Sequence, residues 1–169
     1  GHVLRHLHAE PPADRLTPRR TQRLTADTGL EVTRILAIRH GETAWNADTR
    51  LQGQLDIELN ARGREQARRL AAALVGEELA AIYTSDLQRA RATAEPLAQV
   101  SGLPAQPERG LRERAFGIFE GHTYAEITER WPAEAERWRR REPEFAPAGG
   151  ETLAGFQARA VATAARLAA

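Results

Sequence analysis

Cysteine is absent from this sequence, so it can build neither a disulfide framework nor a thiolate metal site. Long apolar runs are absent as well: no stretch approaches the roughly 18 consecutive apolar residues that a membrane span needs. Neither sign of charge is in excess, because 24 basic residues nearly balance 23 acidic ones and the formal net charge is +1. Nucleic-acid binding usually requires a basic excess on one face. We therefore expect a protein with no membrane and no nucleic-acid partner.

The length and composition predict one globular domain preceded by an extension. A chain of 169 residues, 41% hydrophobic and 28% charged, can bury one core. Residues 1–31 contain three prolines and no sustained apolar period, which predicts a flexible N-terminal extension, with the domain at residues 32–169. The extension lacks the apolar core of a secretory signal, so we expect a cytoplasmic protein. His2, His6 and His8 fall in this extension, and we expect no metal there.

A short apolar run ends in an abruptly polar tripeptide. Residues 35–38 (Ile-Leu-Ala-Ile) are typical of a strand buried on both faces, and Arg39-His40-Gly41 follow directly. Ligands of α/β sheets bind beyond the carboxyl ends of strands. His40 is therefore a candidate nucleophile for a phosphoryl group, with Arg39 in the pocket that holds it. The alternative is an ordinary strand end whose polar residues reach solvent.

A second strand end carries another candidate anion ligand. Residues 80–83 predict a strand, and Ser85 or Asp86 is suited to cap the helix that follows. Arg89 would lie in the first turn of that helix, where free N–H groups and a guanidinium favour an anion. The alternative is a solvated surface arginine.

The remaining pattern alternates strands and helices, which predicts an α/β fold with parallel strands. A long loop spans residues 42–59, and Asn60 can cap a helix that extends to Leu79. The other predicted elements are a helix through 87–97 with Pro96 as a kink, a turn and short extended piece at 101–109, a helix at 124–141, a loop at 143–150 and a last helix from 151 to 167.

Glu113 is the candidate proton donor. It lies among arginines in Leu111-Arg112-Glu113-Arg114, before Phe116-Gly117. A surface ion pair would explain it, and such pairs contribute little. A phosphate ester also needs an acid to protonate its leaving oxygen, and Glu113 is suited to that task.

Taken in order, these motifs resemble the histidine phosphatase superfamily, the phosphoglycerate-mutase-like enzymes. The similarity covers roughly residues 33 to 169 in four blocks. These blocks are Arg39-His40-Gly41-Glu42-Thr43 with Trp45-Asn46, Gln52-Gly53, Asp56 and Leu59-Asn60; Thr84-Ser85-Asp86-Leu87 with Arg89-Ala90 and Thr93-Ala94; Leu111-Arg112-Glu113 with Phe116-Gly117 and Gly121; and Gly149-Gly150-Glu151-Thr152.

The resemblance implies a three-layer α/β/α sandwich with a mostly parallel central sheet and a covalent phosphohistidine intermediate. It assigns His40 as nucleophile and Glu113 as proton donor. It implies that the substrate phosphate is bound by Arg39, Asn46, Gln52, Gly53 and Arg89. Two guanidiniums can neutralise a transferring phosphoryl group, so we expect no metal and no other cofactor.

One family feature is missing. The resemblance implies a second catalytic histidine in a His-Gly pair after the last helix, whereas the only histidine beyond His40 is His122, near the acid block. We therefore expect a C-terminally incomplete domain that lacks one or more strands, and weak activity for such a piece.

These observations leave three possible functions. The loop at residues 50–56 is more similar to the phosphatases of the family, so we favour a phosphomonoesterase acting on a small phosphorylated metabolite. A phosphoglycerate mutase shares the chemistry but passes the phosphoryl group to another hydroxyl. An inactive phosphate-binding or interaction module is the third reading, and a homodimer is left open for all three.

Overall fold

The structure is a computed structural model that describes residues 33–169. The predictions for residues 1–31, including those for the three extension histidines, lie outside the described residues, and the domain boundary stays a prediction. The helices are α1 (Ala44–Ala47), α2 (Ala61–Ala73), α3 (Gln88–Ser101), α4 (Tyr124–Arg130), α5 (Pro132–Arg139) and α6 (Leu153–Ala168). The strands are β1 (Ile82–Thr84) and β2 (Ala105–Pro107), with 3₁₀ turns at Arg109–Leu111 and Gly117–Phe119.

The predicted α/β class is confirmed, with a parallel strand–helix–strand unit at its centre. β1 pairs with β2 in parallel, Ile82 opposite Ala105, and α3 connects them. Helix α3 ends where Gly102 adopts a left-handed conformation with φ 71°, which a residue with a side chain adopts only with strain. Pro96 lies inside α3, and the helix continues through it.

The strand predicted at residues 35–38 is not formed in the described part of the chain. Those residues have no regular secondary structure, and Ile35 is 61% exposed. The sheet of the described residues has two strands, and neither pairs with this segment. A strand exists only through hydrogen bonds to a neighbour, so an apolar run without one stays irregular. The prediction of a doubly buried strand was wrong for this structure.

Helix α2 begins as predicted. The Asn60 side chain accepts a hydrogen bond from the Gly63 N–H, which satisfies a free donor of the first turn. The helix ends at Ala73 rather than Leu79, before a turn in which Gly76 has φ 88°. The predicted 42–59 loop also contains α1, because Thr43 and Asn46 form a reciprocal capping box there.

The single helix predicted at residues 124–141 is two helices. Trp131 leaves the helical region (φ −135°, ψ 65°) and Pro132 opens α5. A proline disfavours helical geometry in the residue before it and is well suited to a first helical turn. The break was therefore readable from the Trp131-Pro132 pair.

Two apolar clusters hold the described residues together. One joins α4 and α5 to the 3₁₀ turn at residues 117–119 through Phe119, Ile127, Ala135 and Phe145. The other packs α2, β1 and α3 through Ala71, Ile82 and Leu97. No helix within residues 33–169 combines the length and apolar character that crossing a bilayer requires.

Candidate active site

His40 is half-buried, and one of its ring nitrogens is held by its own neighbour. The Gly41 carbonyl oxygen lies 2.7 Å from Nδ1. A carbonyl can only accept, so Nδ1 carries the proton and the neutral ring presents a lone pair at Nε2. Burial lowers the pKa of His40 below its ordinary value of 6.5, and the Gly41 bond opposes this shift. The imidazole is therefore held in its uncharged, nucleophilic form.

Charges from three predicted site residues reach this ring. The guanidiniums of Arg89 and Arg39 lower the pKa of His40 further, whereas the Glu113 carboxylate raises it. The structure thus brings His40, both arginines and the candidate acid into one electrostatic neighbourhood.

Thr93 ties the segment that carries His40 to the helix that carries Arg89. Its hydroxyl accepts from the Gly41 N–H at 2.9 Å and donates to the Arg89 carbonyl at 2.7 Å. Thr93 is buried and lies one helical turn after Arg89 in α3. No role was predicted for Thr93 from the sequence, although its i, i+4 spacing from Arg89 places both residues on one helix face.

Arg89 is almost fully buried, with 2% of its surface exposed. Its two terminal nitrogens donate to the carbonyls of Gly53 and Leu55 at 2.7 and 2.8 Å. A guanidinium has five N–H donors, so three make no bond to a described residue and are free for an anion. Burial lowers the pKa of Arg89 from its ordinary value, and the carboxylates of Glu113 and Asp56 oppose the shift.

The N-terminus of α3 is capped differently from the prediction. Leu87 is the N-cap residue and makes no side-chain cap bond, although the Ser85 hydroxyl accepts from the Leu87 N–H at 3.3 Å. The Gln88 N–H donates instead to the Asp56 carboxylate at 2.7 Å. A carboxylate from a distant loop therefore already occupies this donor of the helix end.

Arg39 is exposed, and its guanidinium makes no hydrogen bond or ion pair with any residue in 33–169. Together with His40 it lines a cavity of about 430 Å³ whose other walls include Thr93 and Gln66 and Leu70 of α2. An unpaired cation beside a neutral imidazole suits a phosphoryl group. Neither Arg89 nor Glu113 lines this cavity.

The other predicted phosphate ligands form the surrounding loop. The Asn46 Oδ1 atom caps α1 by accepting from the Thr43 N–H, while its amide nitrogen has no partner among the described residues. Gln52 is 7% exposed, and its side-chain oxygen is buried without a hydrogen bond there. Gly53 has φ 52°, and a Cβ at this position would meet the Glu120 carboxylate at 2.1 Å. Only glycine fits this turn, whose carbonyl receives Arg89.

Glu113 is exposed and lies on a loop that is hydrogen-bonded to α6. Its Oε1 accepts from the Arg114 N–H at 2.7 Å, and its Oε2 has no partner in residues 33–169. Arg159 of α6 forms a two-bond ion pair with Glu151 and donates to the Gly110 and Arg112 carbonyls at 2.8 and 2.9 Å. Nothing in the local sequence around Arg159 predicted these bonds between α6 and the Glu113 loop.

His122 lies outside this neighbourhood. Its Nδ1 donates to the Glu120 carbonyl at 3.1 Å, its Nε2 accepts from Arg130 at 2.8 Å, and its ring meets Trp131 edge-on. In the part of the chain that the structure describes, no group of three or more His, Cys, Asp or Glu side chains is arranged to hold a metal ion.

A half-buried, neutral histidine in the electrostatic neighbourhood of two arginines and a carboxylate, on an α/β scaffold, defines a candidate phosphoryl-transfer site. The family model of the histidine phosphatase superfamily (branch 1) matches residues 35–169. The chain belongs to this superfamily.

Individual relatives agree with the family. Phosphoglycerate mutase-like protein 4 of Arabidopsis thaliana is 41% identical over 70% of this chain and 53% of its own length. Glucosyl-3-phosphoglycerate phosphatase of Mycolicibacterium vanbaalenii is 40% identical over 73% of this chain and 54% of its own length. The chain therefore spans about half the length of these curated relatives.

A solved structure shares the fold. The mycobacterial glucosyl-3-phosphoglycerate phosphatase in complex with VO3 superimposes with a TM-score of 0.70 at 39% identity. The match covers 76% of this chain and 61% of that one.

Proposed function

We propose that this protein is a phosphomonoesterase that hydrolyses a small phosphorylated metabolite through a phosphohistidine at His40. The Nε2 lone pair attacks phosphorus while the bond from phosphorus to the ester oxygen breaks, and Glu113 gives a proton to the departing alcohol. Water then attacks the phosphohistidine and passes a proton to the Glu113 carboxylate, so that inorganic phosphate is released and both the free imidazole and the protonated Glu113 are restored. The observation that carries the proposal is the Nδ1 bond to Gly41, which leaves Nε2 as the nucleophile.

Arg39 and Arg89 are the proposed ligands of the phosphoryl oxygens. One guanidinium is unpaired among the described residues and the other retains three unused donors. Phosphoryl transfer depends mainly on positioning and on neutralising charge at the equatorial oxygens. We propose that Asn46, through its amide nitrogen, and Gln52 and the Gly53 turn complete the phosphate pocket.

The same charge argument leads us to propose that turnover needs no metal ion, so chelation with EDTA should leave the rate unchanged. A cytoplasmic location remains a prediction from the sequence.

Labelling stopped with alkali tests the nucleophile, because phosphohistidine survives base and hydrolyses in acid. The protein is mixed with ³²P-labelled ester, and the modified residue is mapped by peptide mass analysis. We expect acid-labile phosphate on His40, and we expect His40→Ala to abolish both the label and turnover. His122→Gln is the matched control, because it removes the other histidine of the described residues and should keep the label. Label retained in His40→Ala would refute the assignment.

A mutase is the second candidate, because one relative is named phosphoglycerate mutase-like. Parallel assays separate the two functions. Release of inorganic phosphate from glucosyl-3-phosphoglycerate or p-nitrophenyl phosphate supports the phosphatase. Interconversion of phosphoglycerates that depends on bisphosphoglycerate, with little free phosphate, supports the mutase.

A further inference from the structure

A second cavity, of about 380 Å³, opens beside Glu113 and shares no lining residue with the cavity at His40. Helices α4, α5 and α6 form its sides. Glu113 lines this cavity, and its charge also reaches His40. It is therefore the residue that links the proposed phosphate site to this space. If Glu113 protonates the leaving oxygen, this oxygen lies next to the Glu113 carboxyl group. The rest of the alcohol then extends from Glu113 into this cavity.

An aromatic stack forms one wall. The rings of Tyr124 and Trp138 lie parallel, 4° apart in plane, with centroids separated by 5.2 Å. Trp138 is held from behind by Phe119 at 5.3 Å and Phe116 at 5.8 Å, so its position is set by the core. Tyr124 is 61% exposed. Packing in the core does not explain a tyrosine with this exposure, whereas a rigid aromatic face suits an apolar ring of a ligand.

The cavity also has an excess of positive charge. Arg114, Arg139 and Arg141 line it, and Glu113 is the one carboxylate among its lining residues. Arg114 is buried, and its guanidinium donates hydrogen bonds to the carbonyls of Glu151 and Phe145. Arg139 pairs with Glu136 at 3.0 Å in an exposed contact, and such pairs are weak.

Arg141 is the cation best placed to meet a ligand. Its guanidinium makes no hydrogen bond or ion pair with any residue in 33–169. Its backbone has φ 54°, the left-handed conformation that normally favours glycine at a helix end. The chain thus has an arginine where glycine would be less strained, and this places an unpaired guanidinium at the edge of the second cavity.

We propose that this cavity binds the alcohol portion of the phosphate ester and selects alcohols that combine a flat ring face with a carboxylate. The ring packs on the Tyr124–Trp138 stack, and the carboxylate pairs with Arg141. The proposal rests on the proposed function, because it assumes that Glu113 meets the leaving oxygen.

Binding measurements test the pocket independently of turnover. Isothermal titration of the His40→Ala protein uses phenyl phosphate and 4-carboxyphenyl phosphate, which differ only in the carboxylate. We expect the carboxylated ester to bind about tenfold more tightly, as a charge-assisted hydrogen bond at a partly exposed rim would give. Equal dissociation constants would overturn the proposal.

Variants assign the two recognition elements. Arg141→Gln should bring the ratio of the two dissociation constants close to one. Arg140→Gln is the matched control, because Arg140 is the neighbouring cation, pairs with Glu136 and does not line the cavity. Tyr124→Ala should weaken both ring-bearing esters relative to inorganic phosphate. An unchanged ratio in Arg141→Gln, or a loss in Arg140→Gln of the same size, would overturn the role of Arg141.

The two proposals fail in different ways. If the unmodified protein acquires no label on His40 but the binding preference for 4-carboxyphenyl phosphate is observed, the phosphohistidine mechanism is refuted and the pocket proposal stands. A normal label without selectivity would refute the pocket and leave the mechanism standing.

Discussion

His40 is held by the residue that follows it in the chain. The Gly41 carbonyl accepts a hydrogen bond from the Nδ1–H of His40, and the Gly41 N–H donates in turn to the Thr93 hydroxyl. The ring therefore has one orientation and one tautomer before any substrate arrives. Such preorganisation lowers the cost of reaching the reactive geometry.

A pH dependence follows from the lowered pKa of His40. The unfolded chain binds a proton at about the ordinary value of 6.5, whereas the folded protein resists protonation until a lower pH. Below 6.5 the unfolded state thus binds more protons, and stability falls as the pH falls. We expect the unfolding free energy to drop as pH falls through 6.5 and to level off below the folded pKa of His40.

Urea unfolding between pH 5 and 7.5 and an NMR titration of the imidazole measure this dependence. His40→Gln should flatten the slope, whereas His122→Gln serves as the comparison. The lowered pKa values of Glu151, held down by Arg159, and of Asp86, held down by Arg112, act in a more acidic window. An NMR midpoint at or above 6.5 would contradict the prediction.

Among the elements, α2 packs against the segment of His40 backbone to backbone. A Cβ on Gly63 would lie 2.1 Å from the Glu42 carbonyl oxygen, and one on Gly41 would lie 2.5 Å from the Gly63 carbonyl oxygen. The Asn60 side chain also donates to the Glu42 carboxylate at 2.9 Å. The first turn of α2 therefore sets where the segment that carries His40 lies.

Gly63→Ala tests this contact. Helix propensity alone would favour alanine by about 1 kcal/mol. We expect the opposite sign, a loss of about 1–3 kcal/mol of unfolding free energy, because a backbone clash cannot be relieved by a rotamer change. The rate of His40 phosphorylation should fall as well, since the clash displaces residues 41–42.

Chemical denaturation and the alkali-quenched labelling assay report the two effects. Arg64→Ala, an exposed change in the same turn of α2 that loses only a weak surface pair with Glu58, is the control for introducing alanine without a backbone contact. A stabilised Gly63→Ala protein with normal phosphorylation would show that the two backbones separate at little cost.

For the whole molecule, stability is divided between the two apolar clusters. The cluster around Phe119 carries the walls of the second cavity, whereas the cluster around Ile82 supports the strand–helix–strand unit. Phe119 is completely buried and contacts Trp131 and Trp138 with centroid distances of 5.7 and 5.3 Å.

Phe119→Ala should lower the unfolding free energy by about 3–5 kcal/mol, the range for removing a buried aromatic ring. The near-ultraviolet circular dichroism of the tryptophans should weaken too, because their packing partner is lost. Val100→Ala is the control, since Val100 is exposed and a surface change is expected to stay within about 0.5 kcal/mol. Similar losses in the two variants would contradict the division into core and surface.

Local signals in the sequence predicted much of this molecule. Asn60 and Thr152 were placed at the starts of helices, and their side chains cap α2 and α6 by bonds that reach three residues ahead. The order of motifs predicted the superfamily, and the alternation of strands and helices predicted an α/β fold with parallel strands. Such features depend on residues a few positions apart, so the sequence by itself determines them.

Only the tertiary structure decided the contacts between distant residues. Asp56 reaches the Gln88 N–H across 32 positions, and Arg159 grips the Glu113 loop across more than 40. Residues 35–38 had the composition of a buried strand and remained irregular in the described structure, because strand formation requires a hydrogen-bonding neighbour. Local pattern predicts which residues are able to form an element or a site, whereas partners brought together by packing decide whether they do.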